Sequence, residues 1–363
     1  MKADSTPDVF TFLRFPLALA VVFIHSVGSR LPDLSPTPWS AEWGYDLVRL
    51  VLSTIAPSFA VPLFFLISGY FFFLSMSEWD TRQYLGKLRR RVSTLLIPYL
   101  LWNLLYALHL TWSTLAPALF ADGPWTAWLA QMQHLGGWRM FLDSHVIGPH
   151  STAPVLAPLW FLRDLMVAVL LAPVISWLAH HTRWYAVAGL GFLYILTQRN
   201  PWVSCFFWFS LGATCSIRKV QVVAVCRRLQ LPALLISLAM LCMILGAWSG
   251  GLSLKALLRS PLLTVYIIAS VAAVTAATDL VLRRGWLRAR PRLSAASMFI
   301  YVSHIFFLAP VMRLMKGLLP NGCYPVMTLR YILVPLLVVT LCAGLHLLYQ
   351  HARERLSRPS ITN

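Results

Sequence analysis

Two ionisable side chains, Arg14 and His25, lie inside the apolar run FLRFPLALAVVFIHS, residues 12–26. A histidine titrates near neutrality, so it can take a proton from a hydroxyl and give it back. An arginine keeps its charge and holds anions with a planar fork of donors. Either group is expensive in hydrocarbon, which makes it a functional candidate by default. The plainer readings are an arginine snorkelling to the interface and a histidine hydrogen-bonded to another helix. On a helix, eleven residues of separation mean about 16 Å of rise and three turns plus roughly 20°. The two side chains therefore share a face but cannot touch, and each answers to a different partner along one path. Pro16 lies between them and is a point where the helix can kink.

Other polar residues stand deep in apolar runs. The stretch PLWFLRDLMVAVLLAPVI (158–175) carries Arg163 and Asp164. Sequence neighbours on a helix point about 100° apart, so these two are expected to find partners elsewhere rather than each other. His304 sits in SMFIYVSHIFFLAPV, Asn103 and His109 lie in another run, and Arg49 has Asp46 within reach. Several ionisable groups in an apolar bundle imply a polar cavity, which an enzyme and a transporter both own.

The elements that position these groups are membrane helices. The chain has 363 residues, of which 58% are hydrophobic and 12% charged, with a mean hydropathy of +0.69. A soluble domain carries about a quarter charged residues. Ten apolar runs read as spans, at about 9–28, 47–75, 92–113, 155–178, 185–198, 202–217, 231–249, 261–281, 293–312 and 328–349. The fold class is thus an all-α polytopic bundle, expected as one transmembrane domain over 1–363 with no added soluble domain. The fifth and sixth runs are at or below the usual spanning length.

The net charge of +18 does not point to nucleic acid, because the basic residues lie in short clusters between apolar runs: KLRRR (87–91), RRGWLRARPR (283–292) and RERLSR (353–358) among them. Such clusters orient helices, face anionic lipid and can meet an anionic cytoplasmic ligand. An inside N-terminus puts roughly nineteen Lys/Arg in cytoplasmic segments against about seven outside, so both termini are expected in the cytoplasm. With Asp4 and Asp8 and no A-x-A site, the N-terminus reads as a retained helix rather than a cleaved signal peptide.

Two expected external segments, 29–46 and 114–154, are rich in tryptophan, including Trp125, Trp128 and Trp138, and read as interfacial or folded over the bundle. His134, His145 and His150 in the second lack ligand spacing, so no metal site is expected. The six cysteines are scattered and read as small packing residues.

Arg14 and His25, followed by VPLFFLISGYFFF (61–73), RRRVSTLLIPYLLW (89–102), PLWFLRDLMVAVLLAPVI and IYVSH (300–304), resemble in this order the membrane acyltransferase family three, most closely its single-domain members. Where many members carry an acid three residues before the arginine, this chain has Thr11, and Phe15 stands where glycine commonly follows it. The resemblance implies transfer of an acyl group, usually acetyl, from cytoplasmic acyl-CoA to a hydroxyl of a surface glycan or lipid-linked sugar, in the bacterial inner membrane. It makes His25 and Arg14 the essential pair and brings Arg89, Arg90 and Arg91 to the donor. Arg163, Asp164, Trp160, His304 and Ser68 are then expected to line the channel or the acceptor side. His25 acts either as general base or as transient acyl acceptor. Competing readings are a proton-coupled transporter of a small anionic solute or lipid-linked sugar, and a scaffolding subunit of a glycan-assembly complex.

Overall fold

The computed structural model describes residues 4–27, 31–76, 79–121, 123–144 and 153–356. His145, His150 and the end of the last basic cluster lie outside them. The described residues hold helices and turns and no strand. The chain forms two compact units, Met1–Ser77 with Ile175–Asn363, and Glu78–Val174.

The first unit begins with α1 (Thr6–His25), which has Pro7 in its first turn and Asp8 against the positive end of the helix dipole. Its apolar side chains Leu13, Leu17 and Val21 are buried at a constant helical phase. The helix therefore passes Pro16 without losing register, and Arg14 and His25 stay on related faces. Ser26 closes it, with Oγ donating to the Val22 carbonyl at 2.6 Å.

After α1 come α2 (Ala41–Leu50) and α3 (Ala60–Phe73), joined by a π-turn (Val51–Ile55) and a 3₁₀ turn (Ala56–Phe59). The expected second span is thus one apolar run with a slipped hydrogen-bond ladder. Pro57 has no N–H to donate to the preceding turn, which is the physical reason for the slip.

In the second unit α4 (Thr81–Arg91), a π-turn (Val92–Leu96) and α5 (Ile97–Leu110) repeat that pattern before Pro98. The third span therefore begins earlier than the hydropathy boundary, at an Asp80 cap whose carboxylate accepts from the Arg82 and Gln83 amides. The segment expected as an external loop is largely helical, with α6 (Trp112–Phe120) and α7 (Trp125–His134). It packs around Ala107, Leu135, Met140 and Val155. Then α8 (Trp160–Leu170) and α9 (Ala172–His181) make up the fourth run, broken at Leu171 just before Pro173.

From within α9 the chain is again in the first unit. The short α10 (Tyr185–Leu196) covers only about 18 Å against a hydrocarbon layer of about 30 Å. A bend of 107° separates α11 (Pro201–Ile217) from α12 (Val222–Arg228). The unit closes with α13 (Gln230–Ser249), α14 (Leu254–Arg259), α15 (Pro261–Arg283), α16 (Pro291–Leu318) and α17 (Tyr324–Leu356). By length and composition, seven described helical runs can cross a membrane, and the two broken pairs would make nine. With α10 these correspond one to one with the ten runs in the sequence.

Helix α1 packs on α3, α15, α16 and α17, and its Ala18 and Val22 join Ala296, Ile300, Val338 and Cys342 in a buried core. Loops at its two ends are tied separately. Asp33 accepts from the Ser253 hydroxyl at 2.9 Å and the Lys255 amide at 3.0 Å, contacts that hold its carboxyl below the usual carboxylate range. At the other end, the Ser5 hydroxyl donates to Asp279 at 3.1 Å and the Val223 amide to the Thr6 hydroxyl at 3.3 Å.

Candidate active site

His25 ends α1 and His304 sits midway along α16, and packing of these helices brings the rings to 5.1 Å between centroids. His25 Nδ1 is 2.9 Å from the Val21 carbonyl oxygen. His304 Nδ1 is 2.8 Å from the Tyr301 carbonyl and 3.2 Å from that of Ile300. A carbonyl oxygen only accepts, so in each neutral ring Nδ1 carries the hydrogen and Nε2 keeps the lone pair. His304 is fully buried and its Nε2 has no hydrogen-bond partner. Two imidazoles therefore offer ring nitrogens side by side, half-buried His25 against buried His304, each ring oriented by its own helix backbone.

The end of α1 is braced by Ser53 and Tyr331, which no motif in the sequence marks, and by Arg49. Ser53, in the π-turn, donates to the Phe23 carbonyl and meets the Tyr331 hydroxyl of α17 in short hydrogen bonds. Arg49 pairs with Asp46 at 2.6 Å, as expected, and also donates to the Val27 carbonyl at 3.1 Å. Its guanidinium lies over the Tyr45 ring at 5.0 Å. Directly past His25 opens a cavity of about 360 Å³, lined among others by Ser26, Tyr45, Lys316, Asn321, Arg330 and Tyr331. Buried Arg330 donates to the Leu319 carbonyl at 2.8 Å and to Asn321 Oδ1 at 2.6 Å. The signal for Ser53 and Tyr331 was weak: a serine and a tyrosine in apolar runs are ordinary until the fold brings them together.

Arg14, three turns back on α1, lies half-buried over the Phe71 ring at 4.9 Å. Among the described residues no carboxylate pairs with it. A cation held only by an aromatic face is available to an anion or a polarised carbonyl. Ser68 is half-buried on α3.

The second unit holds the other expected residues. Arg163 and Asp164 do pair, against expectation: Nε and an η-nitrogen of Arg163 donate to Asp164 Oδ1 at 2.9 and 2.8 Å. The long guanidinium stem bridges the 100° between neighbouring positions, and burial of both groups enforces the pairing. Arg163 also donates to the Leu142 carbonyl at 2.5 Å. Trp160 opens α8 and is half-buried. Arg89 and Arg90 are exposed at the end of α4, while Arg91 and Arg163 border a cavity of about 460 Å³ with a nearly all-apolar lining of leucine, valine and methionine. His134 is exposed at the end of α7.

The family described as acyltransferase domain, acyltransferase family three, matches residues 9–348. That match covers nearly the whole chain and includes every candidate site residue described above. The chain belongs to acyltransferase family three. Its described helices are those of a multi-pass membrane protein. Over 222 residues it is 23% identical to the succinoglycan biosynthesis protein ExoH of Rhizobium meliloti (strain 1021), covering 58% of this chain and 54% of that protein. The matched stretch thus spans about half the length of that relative. No solved structure matches. Within the family frame, the pairing of half-buried His25 with buried His304 in the first unit is the constellation suited to acyl transfer, since an alcohol becomes a nucleophile when a base takes its proton.

Proposed function

We propose that the protein is an O-acyltransferase of the bacterial inner membrane that moves an acyl group, acetyl in the first instance, from cytoplasmic acyl-CoA to a hydroxyl of an envelope glycan or glycolipid. The observation that carries this reading is the orientation of His25 and His304, both with Nδ1–H committed to backbone and Nε2 left to work. The acceptor hydroxyl gives its proton to His25 Nε2 as its oxygen attacks the thioester carbonyl. The C–S bond then breaks, and the proton passes to the departing thiolate, leaving an ester and free CoA. His304 gives the transient imidazolium a neighbouring lone pair. The histidine can instead carry the acyl group itself between donor and acceptor.

The cavity beyond His25 is suited to the acceptor, with tyrosine faces for sugar rings and Arg330, Lys316 and Asn321 for their polar groups. Arg14 stands at the donor side of the path, and Arg89, Arg90 and Arg91 add positive charge for an anionic donor. The succinoglycan relative supports a glycan acceptor. Burial of the thioester between α1 and α16 would protect it from water.

Purified protein is mixed with radiolabelled acetyl-CoA and isolated envelope glycan, and label on the glycan is counted. The His25→Ala variant is expected to lose about 10²–10⁴-fold in transfer while remaining folded in the membrane, and His304→Ala to lose less. Full glycan acylation by His25→Ala sinks the mechanism. Movement of sugar across the membrane without covalent label favours the transporter reading.

A further inference from the structure

The segment between α15 and α16 reads RRGWLRARPR and holds five arginines and no acid in ten residues. Orientation by positive charge accounts for such a run only as far as its charge. It does not account for its shape. The segment forms one wall of a cavity of about 580 Å³, and the facing wall is α1 at Phe12, Phe15 and Pro16, the turn that carries Arg14. Arg288 and Arg290 border it with Trp286, which is 64% exposed. Among the described residues the side chains of Arg288 and Arg290 have no ion-pair or hydrogen-bond partner, whereas Arg283 is held by Asp279 at 2.8 Å and Arg292 has Glu354 at 3.9 Å. A site of this size, part apolar and aromatic and part cationic, is in the range of small-molecule pockets of about 300–1,000 Å³.

We propose that this cavity binds the phosphorylated nucleotide end of the acyl donor, with Arg288 and Arg290 on the phosphates and Phe12, Phe15 or Trp286 against the purine. The inference rests on the acyl-CoA reading above and gives it a place. Unpaired guanidinium groups match phosphate with charge-assisted, bidentate bonds. Aromatic faces accept a purine ring. The cavity meets α1 at the level of Arg14 but on another face, so the pantetheine arm would pass around the helix to reach the face that Arg14 and His25 share. The groove beside Arg91 and Arg163 is less suited to phosphates, because its lining is almost wholly apolar.

Binding of CoA and of adenosine 3′,5′-bisphosphate, which has the nucleotide without the arm, is measured by calorimetry on the full protein in phosphatidylcholine nanodiscs. Arg288→Ala/Arg290→Ala, altered at exposed positions, is expected to weaken both ligands by about tenfold or more, and Arg259→Ala to bind as wild type. Wild-type binding of CoA that persists unchanged in the double variant overturns the site and leaves the donor reading standing. Failure of the wild type to bind CoA sinks the donor reading and the site with it. In discs containing phosphatidylglycerol the same CoA affinity is expected. Loss of CoA binding there assigns the arginines to lipid headgroups and overturns the nucleotide site.

Discussion

At the scale of single residues, buried polar groups in this chain are decided by their hydrogen-bond partners. His25 and His304 each lose one nitrogen to a backbone carbonyl, and that loss defines what the other nitrogen can do. Arg163 and Asp164 are the opposite case, since each side chain takes up the other's charge. Removing one partner strands the other, which in buried pairs costs about 3–5 kcal/mol, whereas replacing both with apolar groups of similar volume is often near neutral. Arg163→Met is therefore expected to lower the thermal midpoint in detergent clearly, and Arg163→Met/Asp164→Leu to recover most of it. Equal destabilisation by the single and double variants would mean that the pair is not what holds this place.

At the scale of elements, two kinds of device set the positions of the helices. Prolines 57 and 98 each follow a π-turn, and the first of these turns presents Ser53 to the end of α1 and to Tyr331. A slipped ladder exposes groups that a straight helix would hide. The second device is close approach. A Cβ at Gly69 of α3 would overlap the Phe209 carbonyl of α11, and one at Gly212 would overlap that of Leu66. Small residues at such crossings let backbones meet, which is how membrane helices gain packing without a hydrophobic driving force. Gly69→Ala and Gly212→Ala are each expected to destabilise by about 1–3 kcal/mol. Gly246→Ala in α13, where nothing lies within 4 Å, should be neutral or stabilising by up to about 1 kcal/mol. Thermal melts of the three variants check the contrast, and indifference of the protein to Gly69→Ala would remove the crossing as a constraint.

At the scale of the molecule, segments threaded to one side of the membrane by charge also touch one another in the first unit. Asp33 meets Ser253 and Lys255, and Trp43 meets Ser249. Ser5 meets Asp279 and Thr6 meets Val223. Each set belongs to a single side in the ten-span threading, whichever way it faces, so the contacts support the threading and the charge bias alone proposes its direction. In a background with Cys242 and Cys323 replaced by serine, Trp39→Cys should react with an impermeant maleimide in intact cells, and Trp286→Cys only after lysis. Both tryptophans are well exposed, at 87% and 64%. Labelling of Trp286→Cys in intact cells would reverse the topology and remove the nucleotide cavity from the donor's side.

What was legible in the sequence was whatever local chemistry dictates. Apolar length marked the membrane runs and helical spacing the shared face of Arg14 and His25, and charge bias proposes the direction of the runs. The Arg49–Asp46 pair was equally local. Other features depended on residues distant in the chain. The meeting of His25 with His304, 279 positions apart, is produced by α1 packing on α16 through the Ala18, Val22, Ala296 and Ile300 core. The Ser53–Tyr331 contact and the two cavities that border α1 have the same origin, whereas the Nδ1 bonds of the two histidines are local to their own helices. Even the Arg163–Asp164 pair, adjacent in sequence, was misread from spacing alone, because backbone angles describe where a side chain starts and burial decides where its charge must end. Sequence by itself determined which groups lie in the membrane and along which path. Only the tertiary structure decided their partners, since a buried polar atom takes the nearest group that can satisfy it, and the packing of the helices determines which group that is.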